Sequence, residues 1–181
     1  MPIYIAMLRG INVGGHKKVP MKQLQQSVEA LGFEQVKTYI QSGNLIFKAK
    51  GASSDVCRKI ERAIRDDFGF EVPVVCRTPA ELLTTIQGNP FSTEKGFDLA
   101  KLCVAFLSGP PEAAALKKLN PLVTKSDRYH CCRKEVYLYC PDGASETKLT
   151  NNAIEKALAL RATSRNWNTV NKLYEMACQC K

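Results

Sequence analysis

The chain has 181 residues, 45% of them hydrophobic and 24% charged, which suits one sizeable core or two small subdomains. Apolar runs such as Leu102 to Leu107 are too short to span a bilayer, and no signal-like segment opens the chain, so we expect a cytoplasmic protein without membrane contact. The formal net charge of +9 predicts weak attraction to polyanions, but it is spread over both halves, as on an ordinary solvated surface.

The first 77 residues predict a ferredoxin-like order of strands and helices. The opening run is apolar on both faces, which is typical of a central strand, and the helices are marked by apolar residues at helical spacing. A short connection containing Gly and Asn predicts a tight hairpin. In chain order the elements are a strand over 3–8, a helix over 20–32, strands over 36–40 and 45–49, a helix ending at Gly69, and a strand over 72–77.

The second half repeats this order after a short helix that begins with a capping box at Thr78 and Glu81. Residues 88–97 are predicted to be a connecting loop. The repeat comprises a strand over 101–107, a helix over 110–119, a hairpin of strands 127–132 and 136–140, a helix over 150–161, a strand over 162–165, and a terminal helix capped by Asn166.

The predicted fold class is therefore α+β, with two ferredoxin-like (βαββαβ-type) subdomains in one compact unit and a C-terminal helix. We expect the first subdomain, with the short helix that follows it, to span residues 1–90. The second subdomain, with the terminal helix, is expected to span residues 91–181. The order of elements suggests an ancient doubling.

A glycine-rich basic loop, residues 9–18, is the strongest candidate site in the sequence. Its glycines, including Gly14 and Gly15, allow positive φ and exposed amides, and the following helix points its positive end toward the loop. Arg9 and Lys17 would add cationic side chains for a phosphate or carboxylate. The sequence departs from a Walker-type loop, because the lysine is displaced and no hydroxyl follows it. A tight turn with a solvated basic edge explains the same residues.

The sheet faces pointing away from the predicted helices include Tyr4, Ile46, Arg77, Tyr137 and Tyr139. Aromatic and basic residues on one face are typical of RNA-stacking sheets. Packing of these faces within the protein is the favoured interpretation, because tyrosine is commonly half-buried at such seams. The third strand also lacks the RNA-recognition-motif signature.

Eight cysteines are present, but no C-x-x-C pair occurs. The nearest approach to a metal cluster is His130, Cys131, Cys132 and Cys140, and the alternation of side chains along a strand separates the first three. We therefore expect reduced thiols, no metal and no cofactor.

Four stretches carry a resemblance to a known family. They are Arg9 to Gly15, Thr38 to Asn44, Lys148 to Asn151, and Arg165 to Val170, and they closely resemble the signature stretches of the bacterial family called domain of unknown function 1697. The resemblance implies a compact two-subdomain α/β fold and no particular activity.

The polar residues of these stretches lie in loops and at helix starts, where function concentrates. We expect them to converge on one polar cleft and to bind a phosphate-bearing ligand, either a nucleotide-like small molecule or a nucleic acid. One alternative is an enzyme of acyl or phosphoryl chemistry that uses Ser42, and another is a structural scaffold. The candidate ligand-binding residues are Arg9, Asn12, Gly14, Gly15, Lys17, Gln41, Ser42, Asn44, Arg165, Asn166 and Thr169.

Overall fold

The computed structural model describes residues 1–124 and 126–180. Within these residues the chain forms eight strands and six α-helices, arranged in two compact units. The first unit comprises Met1–Leu83 and Lys172–Lys181, and the second comprises Thr84–Asn171. None of the described helices is long and apolar enough to cross a membrane.

The first unit is built on a four-stranded antiparallel sheet with the order β2-β3-β1-β4. Two helices connect these strands along the chain, and a third helix follows the last strand; the boundary between the two units falls within this third helix, between Leu83 and Thr84. The elements are β1 (Ile3–Leu8), α1 (Met21–Glu29), β2 (Glu34–Tyr39), β3 (Asn44–Lys48), α2 (Ser53–Phe68), β4 (Val74–Arg77) and α3 (Pro79–Gln87).

One face of this sheet is covered by α1 and α2. Tyr4 and Phe47 pair across β1 and β3, and both pack in the same core as Ile60 of α2. The prediction that Tyr4 points away from the helices is therefore wrong. Both faces of this central strand are apolar, so alternation alone did not identify the face that the helices cover.

Arg77 lies on the opposite face, because it pairs with Ile5, the residue after Tyr4. It is buried, and its Nη1 donates to the Cys76 carbonyl at 2.9 Å. In the second unit Arg165 pairs with Val104 and is buried in the same way.

The second unit contains a second four-stranded antiparallel sheet, of order β6-β7-β5-β8. Helices again alternate with the strands, and the last helix runs from this unit into the first. The elements are β5 (Leu102–Leu107), α4 (Ala113–Leu116), β6 (Arg128–Cys132), β7 (Glu135–Tyr139), α5 (Asn151–Leu158), β8 (Ala162–Asn166) and α6 (Trp167–Cys178).

Two predicted helices of the second half are shorter than expected. The helix predicted over 110–119 is a single turn, α4, followed by a 3-10 segment, Lys117–Leu122, that contains Pro121. Proline lacks the amide that an α-helix needs to continue. The helix predicted over 150–161 ends at Leu158, because Ala159 takes a left-handed conformation with φ of 54°.

Local capping signals were predicted correctly. Thr78 N donates to Glu81 Oε2 at 2.8 Å, and Glu81 N donates to Thr78 Oγ1 at 3.2 Å, which is the reciprocal capping box. Asn166 Oδ1 accepts from Thr169 N at 2.8 Å at the start of α6.

Candidate functional site

The basic loop folds as a small hairpin. Val13 and His16 form a β-bridge, and His16 N donates to the Val13 carbonyl at 3.0 Å. Between them Gly14 and Gly15 have φ of 57° and 79°, the two successive positive values of a type I′ turn. The glycines therefore make an exposed turn, and the His16 amide is used within the protein.

Asn12 ties the base of this hairpin to its surroundings. Its Nδ2 donates to the Val19 carbonyl at 3.0 Å and to the Gln41 carbonyl at 2.8 Å. Its Oδ1 accepts from Val19 N at 2.8 Å, and its own N donates to the Lys17 carbonyl at 3.1 Å. Asn12 adopts a positive φ of 56°, which asparagine tolerates better than most residues. One side chain thus joins both ends of the loop to the turn that contains Gln41.

The turn of residues 40–43 packs directly against the loop. Leu8 N donates to the Gly43 carbonyl at 2.8 Å. A Cβ added at Gly43 would lie 2.6 Å from Ile11 Cδ1 and 2.9 Å from Leu8 Cβ, so only glycine fits there. The structure therefore brings the two predicted segments of the first unit together.

Ser42 and Asn44 belong to the internal bracing of this turn. Asn44 is fully buried, and its Nδ2 donates to the Tyr39 carbonyl at 3.0 Å and to Ser42 Oγ at 3.2 Å. The Asn44 amide thereby connects the end of β2 to the start of β3. These contacts assign a positional role to Asn44 and orient the Ser42 hydroxyl.

The basic side chains occupy different parts of the loop. His16, Lys17 and Lys18 are exposed at the hairpin, whereas Arg9 is half-buried at its base, where its N donates to the Pro73 carbonyl at 2.9 Å. Lys17 Nζ donates to the Glu71 carbonyl at 2.6 Å. Residues 9–18 contain no acidic residue, so the exposed end of the loop is cationic.

The three predicted site residues of the second unit have local roles. Arg165 is buried, and its Nη1 donates to Thr163 Oγ1 and to the Ser164 carbonyl, both at 2.8 Å. Burial lowers the pKa of Arg165 to about 10. Asn166 caps α6 through the amide of Thr169. Their convergence with the basic loop stays a prediction.

Two of the tyrosines considered for base stacking are covered within the second unit. Tyr137 is 1% exposed, and its hydroxyl donates to the Thr85 carbonyl at 2.7 Å. Tyr139 packs against Phe97 with ring centroids 4.2 Å apart, and it also contacts Phe91. These contacts support the interpretation that Tyr137 and Tyr139 are packing residues.

The cysteine-rich hairpin behaves as its alternation predicts. Tyr129 and Cys131 pack on the core, whereas His130 and Cys132 are exposed. Among residues 1–124 and 126–180, no group of three or more His, Cys, Asp or Glu side chains is placed to hold a metal ion.

Sequence reasoning missed a pocket in the second unit. It is lined by residues far apart in sequence, among them Cys103, Cys140, Asn151 and Ser164. No spacing rule connects these positions, because they meet only when the loop after β7 folds back over the sheet. The Lys148 to Asn151 stretch singled out above contributes three residues to its wall.

The family model described as "Protein of unknown function (DUF1697)" matches residues 1–137. The stretches at 148–151 and 165–170 lie beyond the matched range. The conserved bacterial protein SP0830 from Streptococcus pneumoniae has a similar fold, with a TM-score of 0.75 and 23% sequence identity over 97% of this chain and 98% of that one. At this level of identity the similarity shows a shared fold. No curated protein matches the chain.

Proposed function

Because this chain belongs to the DUF1697 family, which is described as of unknown function, we propose its function from the geometry of the first unit. In this proposal the protein is a module that binds a phosphate-bearing ligand, either a nucleotide-like small molecule or a nucleic acid. The ligand site is the exposed end of the basic loop, with the adjacent turn of residues 40–43 as its support.

One observation carries this proposal, namely the way Asn12 holds the loop. A long basic loop without internal support would lose conformational entropy on binding an anion. Here Asn12 fixes the base of the hairpin through Val19 and Gln41, so the cationic end is held before any ligand arrives. His16 and Lys18 are exposed on this support, Lys17 is exposed while its Nζ donates to the Glu71 carbonyl, and no acidic residue of the loop opposes these three side chains.

The fold proposed for each unit is ferredoxin-like. Each unit has a four-stranded antiparallel sheet in which the first and third strands are central, and helices follow the first and third strands. The matching positions of Arg77 and Arg165 in the two sheets support a doubled unit. In this arrangement the basic loop is the connection between the first strand and the first helix.

A structural scaffold is the second candidate, and the bracing contacts favour it. Asn12, Gln41, Ser42, Gly43 and Asn44 all make contacts within the loop and the turn. If the role is purely structural, substitutions at these residues should reduce stability, and the wild-type protein should bind neither nucleotide nor nucleic acid.

The test compares two pairs of adjacent exposed lysines. Lys17→Ala/Lys18→Ala removes two charges from the basic loop, and Lys117→Ala/Lys118→Ala removes two charges from the second unit. Binding of fluorescently labelled ATP and of a single-stranded RNA oligonucleotide is measured by anisotropy over a range of salt concentrations. We expect the loop variant to lose affinity and to reduce the salt dependence of RNA binding by about one to two phosphate contacts.

The Lys117→Ala/Lys118→Ala variant should retain the affinity and salt dependence of the wild type. Equal losses in both variants would indicate attraction to net charge alone and would refute a site at the loop. If neither probe binds the wild type and Arg9→Ala only lowers the melting temperature, the scaffold function replaces the binding function.

A further inference from the structure

The second unit contains a pocket of about 430 Å³, a size that suits a small molecule. It opens where β5 begins and β7 ends. Cys103 pairs with Leu138 across these strands, and Cys140 N donates to the Lys101 carbonyl at 3.1 Å. The loop after β7 and the first turn of α5 complete the wall.

The inner wall of the pocket is apolar. Leu138 and Leu149 are 3% and 2% exposed, and Cys140 is 8% exposed. Burial raises the pKa of the Cys103 thiol, and it raises that of Cys140 to about 11. Both thiols therefore stay protonated near neutral pH and contribute soft, uncharged surface.

Polar side chains of β8 and of the first turn of α5 also line the pocket. Ser164 Oγ donates to Asn151 Oδ1 at 2.7 Å, so the group that Asn151 can offer to a ligand is its Nδ2 donor. Thr150 Oγ1 accepts from Ala153 N at 3.2 Å and thereby caps α5. The pocket thus combines an apolar surface with a polar group that can donate a hydrogen bond.

The charge carried by the described residues of the pocket lining is positive. Lys101 is the one charged residue among the described residues that line the pocket, and it is exposed. The carboxylate of Asp127 lies behind the wall and accepts hydrogen bonds from Thr124 and Thr147, both at 2.7 Å. Asp127 is 5% exposed and also contacts the Cys140 thiol, so its charge is shared among the two hydroxyls and this thiol.

We propose that this pocket binds a small organic anion, whose apolar part packs on the leucine and thiol wall and whose anionic group meets Lys101 and the Asn151 amide. The positive end of the α5 dipole adds to the same preference. The site is independent of the function proposed for the basic loop.

The test uses phenyl phosphate as the probe. Phenol and inorganic phosphate are the controls, since each carries only the apolar part or only the anionic part of the probe. Isothermal titration calorimetry is performed on the full chain, on Lys101→Glu and on Lys118→Glu. The two variants change the net charge equally, but Lys118 does not line the pocket. We expect the whole probe to bind more tightly than either control. Lys101→Glu should weaken its binding by about tenfold or more, as expected when a charged hydrogen-bond partner is lost.

A second variant, Cys103→Phe, fills the pocket without changing its charge. It should abolish phenyl phosphate binding while circular dichroism shows an intact fold. If Cys103→Phe fails to fold, the comparison between Lys101→Glu and Lys118→Glu still decides the question.

The proposal is overturned if phenyl phosphate does not bind, or if the Lys101→Glu and Lys118→Glu variants bind it equally well. Binding lost in Lys17→Ala/Lys18→Ala but kept in Lys101→Glu would assign the probe to the basic loop and would also overturn the pocket. Binding lost in Lys101→Glu alone supports the pocket and leaves the function of the basic loop to its own test.

Discussion

Gly43→Ala should be one of the most destabilising single-methyl additions in the first unit. Two costs add at this position. The first is the φ of +83°, which an alanine adopts at a cost of about 1 kcal/mol. The second is steric, because the new methyl would lie 2.6 Å from Ile11 Cδ1 and 2.9 Å from Leu8 Cβ. Both neighbours are buried and have little room to move, so overpacking adds about 1–3 kcal/mol.

Gly32→Ala is the matched control for the backbone cost. Gly32 has a φ of +78° and no atom within 4 Å of the position of an added Cβ. We expect Gly32→Ala to lower the free energy of unfolding by about 1 kcal/mol. The corresponding loss for Gly43→Ala should be about 2–4 kcal/mol, the sum of backbone strain and overpacking.

Urea denaturation followed by circular dichroism measures both losses, with similar m-values expected for the two variants. A double-mutant cycle with Ile11→Ala isolates the part of the steric cost that comes from Ile11, because the double variant removes the clashing Ile11 atoms and keeps both the backbone strain and the contact with Leu8 Cβ. Equal losses in Gly43→Ala and Gly32→Ala, together with no coupling to Ile11, would refute the close packing of the turn on the loop.

Three further predictions concern single side chains. Asn12→Ala should lower the free energy of unfolding by about 2–3 kcal/mol in urea titrations, because three hydrogen bonds to backbone groups are lost. Asn168→Ala, on the exposed face of α6, should change it by less than about 0.5 kcal/mol. Tyr137→Phe should cost about 1–2 kcal/mol by the same measurement, since it leaves the buried Thr85 carbonyl without its 2.7 Å donor; a loss near zero would contradict that bond. Burial raises the pKa of Cys140 from 9.0 to about 11, so unfolding within this window releases a proton and stability falls as pH rises through it. Cys140→Ala should show a shallower decline between about pH 9 and pH 11, and an unchanged slope would contradict the assignment.

Sequence predicted those parts of the fold that depend on local chemistry. The end of α2 at Gly69 and the capping box of α3 were both correct, because a left-handed glycine and a Thr–Glu pair act within a few residues. The helix over 150–161 was predicted too long, because Ala159 takes the left-handed conformation that glycine usually supplies. Alanine rarely adopts this conformation, so the local sequence contained no indication of it.

The contact between the basic loop and the turn of residues 40–43 was predicted from the sequence, whereas the shape of the loop was not. Asn12 and Gln41 are polar loop residues of two family-like stretches that were expected to converge, and the structure joins them by a hydrogen bond. The sequence suggested a cradle of amides, whereas Gly14 and Gly15 form a hairpin turn, for which consecutive glycines are a known signal. The pocket of the second unit had no local signal, because one of its thiols lies in β5 and the other follows β7, far apart in sequence.

The hairpin of the basic loop also offers a place to attach a reporter. Its exposed two-residue turn closes on the Val13–His16 bridge, while the hydrogen bonds that hold the loop are made at its base by Asn12. A short peptide tag inserted between Gly14 and Gly15 would lengthen the tip without touching those bonds, as surface hairpins commonly tolerate. A fluorophore carried on such a tag would lie beside Lys17 and Lys18, so a change in its emission on addition of an anion would report the proposed binding directly.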